Sequence, residues 1–149
     1  MVFDFDGVMT DDRVWVSQDG SESVAANRRD GLGIARLRKV DIPMVVLSTE
    51  PNPVVAARCR KLELPVIQGL SDKAAALSAL LKERRLDPAH VVYLGNDVND
   101  LPCFALVGCA VVVADAHPEV LSQADLVLTS NGGHGAVREL CDRLLQAQE

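Results

Sequence analysis

Aromatic residues are scarce in this chain of 149 residues, at 3% of the sequence. Val, Leu and Ala are abundant instead, which suits buried strands flanked by helices better than an all-β sandwich. The apolar fraction of 48% is high enough for a full core and excludes a disordered chain. We therefore expect one compact domain over 1–149.

Cysteine is also infrequent, and its spacing excludes two classes of site. The four cysteines form no CxxC pair and have no histidines nearby, which argues against a disulfide framework and against a zinc site: Cys59, Cys103, Cys109 and Cys141. They are typical of the buried, reduced thiols of a cytoplasmic protein.

The chain has neither an excess of positive charge nor a long apolar run. Its 15 basic and 21 acidic residues give a net charge of −6, which argues against a nucleic-acid partner. No apolar run approaches the length of a membrane span, and the N-terminus lacks the pattern of a signal peptide. The chain opens almost inside its first predicted strand, which leaves open whether it stands alone or follows another domain.

Short apolar runs alternate with amphipathic segments throughout the sequence. The pattern predicts helices over 33–40, from Pro53 onward, and over 73–84, 101–107, 118–123 and 136–146. Strands are predicted over 1–5, 44–47, 66–67, 91–94, 110–114 and 126–128, and an Asp-Gly turn at 18–21 predicts a β-hairpin between 14–16 and 22–26. This alternation predicts an α/β fold with a doubly wound parallel sheet.

Polar residues follow several of the predicted strands. Asp4 and Asp6 end the first, Ser48-Thr49-Glu50 follow the second, and Asn96-Asp97 follow the strand at 91–94. In a doubly wound sheet, ligands bind beyond the carboxyl ends of the strands. Asp4 and Asp6 would share a face, where they repel each other unless a cation lies between them or they divide two catalytic roles.

A calcium loop does not fit these two acids, because Val8, Met9 and Trp15 occupy the positions of its third acid, glycine and closing glutamate. Phosphoryl transfer fits better. Asp4 would attack phosphorus, and Asp6 would protonate the leaving oxygen and later activate water. We expect Mg²⁺ to neutralise the phosphate, with Ser48 and Lys73 holding its other oxygens.

These residues resemble the four motifs of the haloacid dehalogenase superfamily of phosphohydrolases. The segment 4–10 resembles the first motif, Ser48 the second, Lys73 the third and 95–100 the fourth. Segments 29–33, 114–118 and 132–139 resemble the capless 3-deoxy-2-ulosonate phosphatases. The resemblance implies a Rossmann-like core with a β-hairpin flap and no cap domain. It also implies a homotetramer in which a neighbouring subunit closes the active site.

The substrate hypothesis depends on Glu50. Octulosonate phosphatases generally carry Arg at this position, whereas the nonulosonate branch of the family resembles this chain. The resemblance implies that Thr49 and Glu50 meet sugar hydroxyls, and that Arg58 and Lys61 meet the substrate carboxylate. We therefore expect a 9-phosphate of KDN or a related nonulosonate as substrate. The alternatives are KDO 8-phosphate, or a weakly active or inactive oligomerisation domain of a CMP-sialic acid synthetase.

The fourth motif departs from the family at one position. Asn96 stands where the family usually places an aspartate as metal ligand, beside Asp4 and Asp6. An amide oxygen binds Mg²⁺ but brings no charge, which predicts weaker metal binding. Asp97 is the alternative direct ligand. Otherwise we expect Asp97 and Asp100 to accept hydrogen bonds from metal-bound water.

Overall fold

The computed structural model describes residues 1–147 and shows an α/β fold built on six parallel strands. In chain order the strands are β1 (Val2–Phe3), β4 (Val45–Leu47), β5 (Val66–Ile67), β6 (Val92–Gly95), β7 (Cys109–Val112) and β8 (Leu126–Val127). Their order in the sheet is β5-β4-β1-β6-β7-β8, so the chain starts at the centre and winds outward both ways. The predicted doubly wound sheet is confirmed.

Helices connect the strands. They are α1 (Arg28–Arg38), α2 (Pro53–Lys61), α3 (Lys73–Glu83), α4 (Leu101–Phe104), α5 (Pro118–Leu121) and α6 (Ala136–Gln146), with 3₁₀ turns at Pro88–His90 and Val98–Asp100. Because parallel crossovers are right-handed, the reversal of winding direction after β5 places helices on both faces of the sheet. The helix α1 packs against α6, and α3 packs against α4. No helix within residues 1–147 is both long and apolar enough to span a bilayer.

The helix α1 begins earlier than the sequence pattern predicted. Asn27 caps it by accepting a hydrogen bond from the backbone N–H of Arg29 at 2.9 Å. Gly31 and Gly33 lie inside its first turns, and glycine there argues against a helix on propensity alone. Gly33 is required by packing, since a Cβ on it would lie 3.0 Å from the side chains of Arg138 and Cys141. Close approach of α1 and α6 therefore outweighs the local propensity.

The predicted hairpin is formed by β2 (Trp15–Val16) and β3 (Glu22–Ser23), which pair antiparallel. It extends from the core and is exposed on its apolar side. Trp15 is 73% exposed and Val16 is 65% exposed. The chain returns directly from the hairpin to α1, so 14–27 form a flap and no cap domain is inserted there.

Candidate active site

The carboxyl ends of the three central strands meet above one open cleft. Asp4 follows β1, Ser48 follows β4, and Asn96 follows β6. Since these strands are neighbours in the sheet, the side chains that follow them converge. The cleft has a volume of about 430 Å³ and lies between this edge and the hairpin flap. Its lining includes the predicted residues Asp4, Asp6, Thr49, Glu50, Asn96 and Asp97.

Asp4 is buried, with only 5% of its surface exposed. Its Oδ1 accepts hydrogen bonds from the backbone N–H of Phe5 and from Lys73 Nζ, both at 2.7 Å. Burial is the main cause that raises the pKa of Asp4, Asp100 adds to it, and Lys73 opposes it. One oxygen is therefore anchored, while Oδ2 faces Asn96.

Lys73 is the first residue of α3 and is also buried. Its ammonium lies 2.7 Å from Asp4 Oδ1 and 2.9 Å from Asp100 Oδ1. Burial acts to lower the pKa of Lys73, but the two carboxylates outweigh it and the net direction is upward. Lys73 is therefore a fixed positive charge beside the predicted nucleophile.

Asp6 lies at the cleft surface and is half-buried. Burial raises its pKa to about 6, and the carboxylates of Glu50, Asp12 and Glu22 add to the effect. An aspartate with such a pKa exchanges a proton near neutral pH, as a group that acts first as acid and then as base requires. The predicted roles of Asp4 and Asp6 are compatible with their different surroundings.

Ser48 is buried at the end of β4, where its Oγ accepts a hydrogen bond from the backbone N–H of Glu50 at 3.1 Å. Thr49 is exposed, and both Thr49 and Glu50 line the cleft. The Glu50 side chain accepts a hydrogen bond from the backbone N–H of Asn52 at 2.9 Å. This contact holds the carboxylate beside the cleft, where the sequence analysis expected it to meet substrate.

Arg58 and Lys61 lie outside the cleft. Arg58 Nη2 donates to the backbone carbonyl of Asn27 at 3.1 Å, so the side chain ties α2 to the cap of α1. Lys61 is exposed at the end of α2. Neither residue lines the cleft that holds Asp4 and Glu50. Their i,i+3 spacing fixed a common helix face, but the pattern could not show that Arg58 reaches the cap of α1. Their contact with a substrate carboxylate stays a prediction.

The side-chain amide of Asn96 meets two acceptor oxygens at one corner of the cleft. Its outward terminal atom lies 3.0 Å from Asp4 Oδ2 and 3.0 Å from the backbone carbonyl oxygen of Asp6, and with the NH₂ outward it donates a hydrogen bond to each. With the amide oxygen outward instead, three oxygens would meet and would repel each other unless a cation lay between them. Adjacent oxygens of an octahedral Mg²⁺ site are about 2.9 Å apart, since each lies 2.0–2.1 Å from the metal. The corner therefore fits Mg²⁺, with Asp6 contributing its backbone carbonyl.

The neighbouring acids have different surroundings. Asp97 lines the cleft, and its Oδ1 accepts a hydrogen bond from the backbone N–H of Val98 at 2.7 Å. Asp100 is fully buried, and its oxygens accept from Lys73, Tyr93 and the backbone N–H groups of Asn96 and Asp97. These contacts show Asp100 fixing the lysine and the Asn96 loop. Contact of Asp97 or Asp100 with metal-bound water stays a prediction.

Two supporting groups were missed by the sequence analysis. Tyr93 is buried in β6 and donates a hydrogen bond to Asp100. The signal was present, because a lone tyrosine in an apolar strand needs a partner for its hydroxyl. Gly132 packs on the loop after Asp6, where a Cβ would lie 1.8 Å from the carbonyl oxygen of Gly7. No local pattern could reveal that contact, since 125 residues separate the two glycines.

Comparison with known proteins agrees with this geometry. The family model of the haloacid dehalogenase-like hydrolases matches residues 56–140. The 3-deoxy-D-manno-octulosonate 8-phosphate phosphatase of Escherichia coli K12 is 40% identical over 149 residues, which cover 99% of this chain and 79% of that protein.

Solved structures of similar proteins point to the same family. A protein from Streptomyces avermitilis described as a HAD family hydrolase is 55% identical, with a TM-score of 0.93 over 95% of this chain and 81% of its own. The octulosonate 8-phosphate phosphatase of Moraxella catarrhalis, solved with magnesium, phosphate and KDO, is 31% identical. Its TM-score is 0.94, over 98% of this chain and 84% of its own.

The chain belongs to the haloacid dehalogenase-like hydrolases. Within this family it is a phosphatase of the capless group that includes the octulosonate 8-phosphate phosphatases, and its cofactor is Mg²⁺. The family and the cofactor expected from the sequence are thereby confirmed.

Proposed function

We propose that this protein hydrolyses the phosphate ester of a phosphorylated 3-deoxy-2-ulosonate through an aspartyl-phosphate. The observation that carries the proposal is the arrangement around Asp4, which lies 2.7 Å from the Lys73 ammonium and faces an oxygen corner suited to Mg²⁺. Asp6 lies beside it in the same cleft. This arrangement provides a nucleophile, an acid and fixed positive charge at one strand edge.

In the first step, an Asp4 oxygen forms a bond to phosphorus while the bond from phosphorus to the sugar oxygen breaks. Asp6 gives its proton to that departing oxygen. In the second step, Asp6 takes a proton from a water molecule, whose oxygen attacks phosphorus and releases Asp4 and inorganic phosphate. Lys73 and Ser48 hold the oxygens that do not react, and Mg²⁺, when bound, neutralises phosphate charge.

Within this class we propose a nine-carbon substrate, such as KDN 9-phosphate or a related nonulosonate 9-phosphate. Six carboxylates line the cleft: those of Asp4, Asp6, Asp12, Glu22, Glu50 and Asp97. These carboxylates accept hydrogen bonds from substrate hydroxyls and repel the substrate carboxylate. A nine-carbon substrate has a longer polyol chain between its phosphate and its carboxylate, which places the carboxylate farther from the acidic residues. The eight-carbon KDO 8-phosphate is the second candidate, favoured by the similarity of the chain to octulosonate 8-phosphate phosphatases.

The test is phosphate release with Mg²⁺ from KDN 9-phosphate, N-acetylneuraminate 9-phosphate and KDO 8-phosphate. We expect a higher kcat/KM for a nine-carbon substrate and no turnover by Asp4→Asn. The matched variant Glu50→Gln keeps the shape of the side chain and removes its charge, and it should reduce this preference. Higher kcat/KM for KDO 8-phosphate would contradict the nine-carbon proposal alone. No Asp4-dependent release from any of the three would contradict the whole proposal.

We also propose a homotetramer in the cytoplasm. The isolated two-stranded hairpin is marginal by itself, and its apolar residues Trp15 and Val16 are exposed, so pairing with hairpins of other copies would bury them. The cytoplasmic location is supported by the cysteines, all four of which are unpaired and three of which are buried.

A further inference from the structure

The backbone of Asn96 is held firmly on both sides. Its N–H donates to Asp100 Oδ2 at 2.9 Å, and its carbonyl accepts from the backbone N–H of His117 at 2.8 Å. Gly7, with φ of +75°, passes so close that a Cβ on it would lie 2.0 Å from Asn96 Nδ2. The side-chain amide therefore has a fixed base and a space made by the absence of a side chain on Gly7.

Two orientations of this amide satisfy the corner in different ways. With Oδ1 outward, three oxygens lie together and require a cation. With the amide rotated by 180°, its NH₂ donates to Asp4 Oδ2 and to the carbonyl oxygen of Asp6, both at 3.0 Å. These are good hydrogen-bond distances, and one acceptor is a carboxylate. The same side chain can thus bind a cation through its oxygen, or, when no cation is bound, hold the two oxygens together through its NH₂.

We propose that Asn96 is a metal-responsive positioning residue. Without Mg²⁺, its NH₂ holds Asp4 and the Asp6 carbonyl in place; with Mg²⁺, the amide rotates and its oxygen becomes a ligand. An aspartate at 96 has no hydrogen to donate and would add a second carboxylate against Asp4. The asparagine therefore keeps the site assembled in the absence of metal, and the missing charge weakens Mg²⁺ binding.

The first test compares Asn96→Asp with the matched variant Asn99→Asp, which adds the same charge to the cleft lining away from the corner. Thermal unfolding in EDTA and Mg²⁺ titration by calorimetry need no substrate. We expect Asn96→Asp to bind Mg²⁺ about tenfold more tightly and to have a metal-free Tm about 3 °C or more below that of Asn99→Asp. Equal metal-free Tm values, or unchanged Mg²⁺ affinity, would overturn the proposal.

The second test uses the wild-type protein and holds even if a variant fails to fold. The side-chain NH₂ of Asn96 should be protected from hydrogen exchange in EDTA, as seen by NMR of ¹⁵N-labelled protein, and should lose that protection when Mg²⁺ is added. The exposed Asn99 side chain serves as the internal reference and should exchange fast in both states. Equal exchange of the Asn96 NH₂ with and without Mg²⁺ would contradict the rotation.

Discussion

The hydroxyl of Tyr93 donates a hydrogen bond of 2.7 Å to Asp100 Oδ1, the oxygen that also accepts from Lys73 Nζ at 2.9 Å. Asp100 has no exposed surface, so its orientation is set by these contacts and by the backbone of the Asn96 loop. Tyr93 thus acts on Lys73 through a shared carboxylate and does not line the cleft.

Removal of the hydroxyl in Tyr93→Phe should lower kcat about fivefold to tenfold, because one hydrogen bond to a charged group is lost and Lys73 is held less firmly. KM should change little, since Tyr93 does not line the cleft. The ring remains, and with it the edge-to-face contact with Phe104 at 5.7 Å. Steady-state kinetics check this prediction.

Phe104→Leu is the matched control, because it alters the same ring contact and leaves Asp100 untouched. It should lower Tm and leave kcat close to that of the wild type. If both variants lost kcat in proportion to their loss of Tm, Tyr93 would have only a packing role.

A second prediction concerns Asp6. Asp6→Asn should lower turnover by about 10² to 10⁴, the usual contribution of a positioned acid or base. Mg²⁺ affinity should persist, because the corner uses the backbone carbonyl of residue 6. Asp12→Asn, in the same cleft lining, is the control and should retain most of the activity. Loss of Mg²⁺ binding in Asp6→Asn would instead place the carboxylate on the metal.

The pH dependence of the first step follows from the raised pKa of Asp6. Its proton is present below a pH of about 6 and is lost as the pH rises through that value. Asp4 must be ionised to attack phosphorus, and its own raised pKa keeps more of it protonated at low pH. Single-turnover formation of the aspartyl-phosphate should therefore pass through a maximum and slow at higher pH, where Asp6 has lost its proton. A rate that does not fall at any pH up to 8 would contradict the role of Asp6 as the acid.

The sequence was sufficient to predict the strand edge of the site. Asp4, Ser48 and Asn96 each follow a buried apolar run, and parallel pairing brings such positions together without further information. The start of α1 was not predictable in this way, because Gly31 and Gly33 lower helix propensity and their benefit lies in contacts with α2 and α6. The position of Arg58 was also not predictable from the local pattern, since its partner Asn27 is 31 residues away in the sequence.

A fourth prediction tests the hairpin as a contact between copies. Trp15→Asp places a charge on the most exposed apolar side chain of the flap and should convert the proposed tetramer into smaller species. Leu32→Asp, on α1, is the control at another exposed apolar residue, of which 57% is exposed, and should leave the assembly intact. Light scattering after size-exclusion chromatography gives the mass of each. A monomeric wild type at micromolar concentration would contradict the tetramer.

The last prediction concerns Asp30, a residue of α1 that is 2% exposed and whose carboxylate contacts α6. Its Oδ1 accepts from the backbone N–H of Arg138 at 3.0 Å, while Oδ2 is buried without a partner among the described residues. Burial raises the pKa of Asp30 to about 6, although Arg138 and the nearby Arg58 oppose the shift. The folded protein therefore binds this proton more tightly than the unfolded chain, where the pKa is about 3.9.

The raised pKa of Asp30 determines how its contribution to the free energy of unfolding changes with pH. The stabilising contribution of the protonated form is complete below pH 4 and is lost as the pH rises through about 6. Asp30→Asn keeps the oxygen that accepts from Arg138 and removes the titration. Relative to the wild type, its free energy of unfolding should therefore rise by about 2 kcal/mol between pH 4 and pH 7.

Urea unfolding of both proteins from pH 4 to pH 8 measures this difference. Asp142→Asn is the control, since Asp142 forms an ion pair with Arg138 at 2.7 Å on the same helix but is partly exposed. It should not gain stability relative to the wild type as the pH rises. A constant difference between Asp30→Asn and the wild type across this range would show that Asp30 is already ionised in the folded protein at pH 4, with the backbone N–H of Arg138 and the charge of Arg58 outweighing its burial.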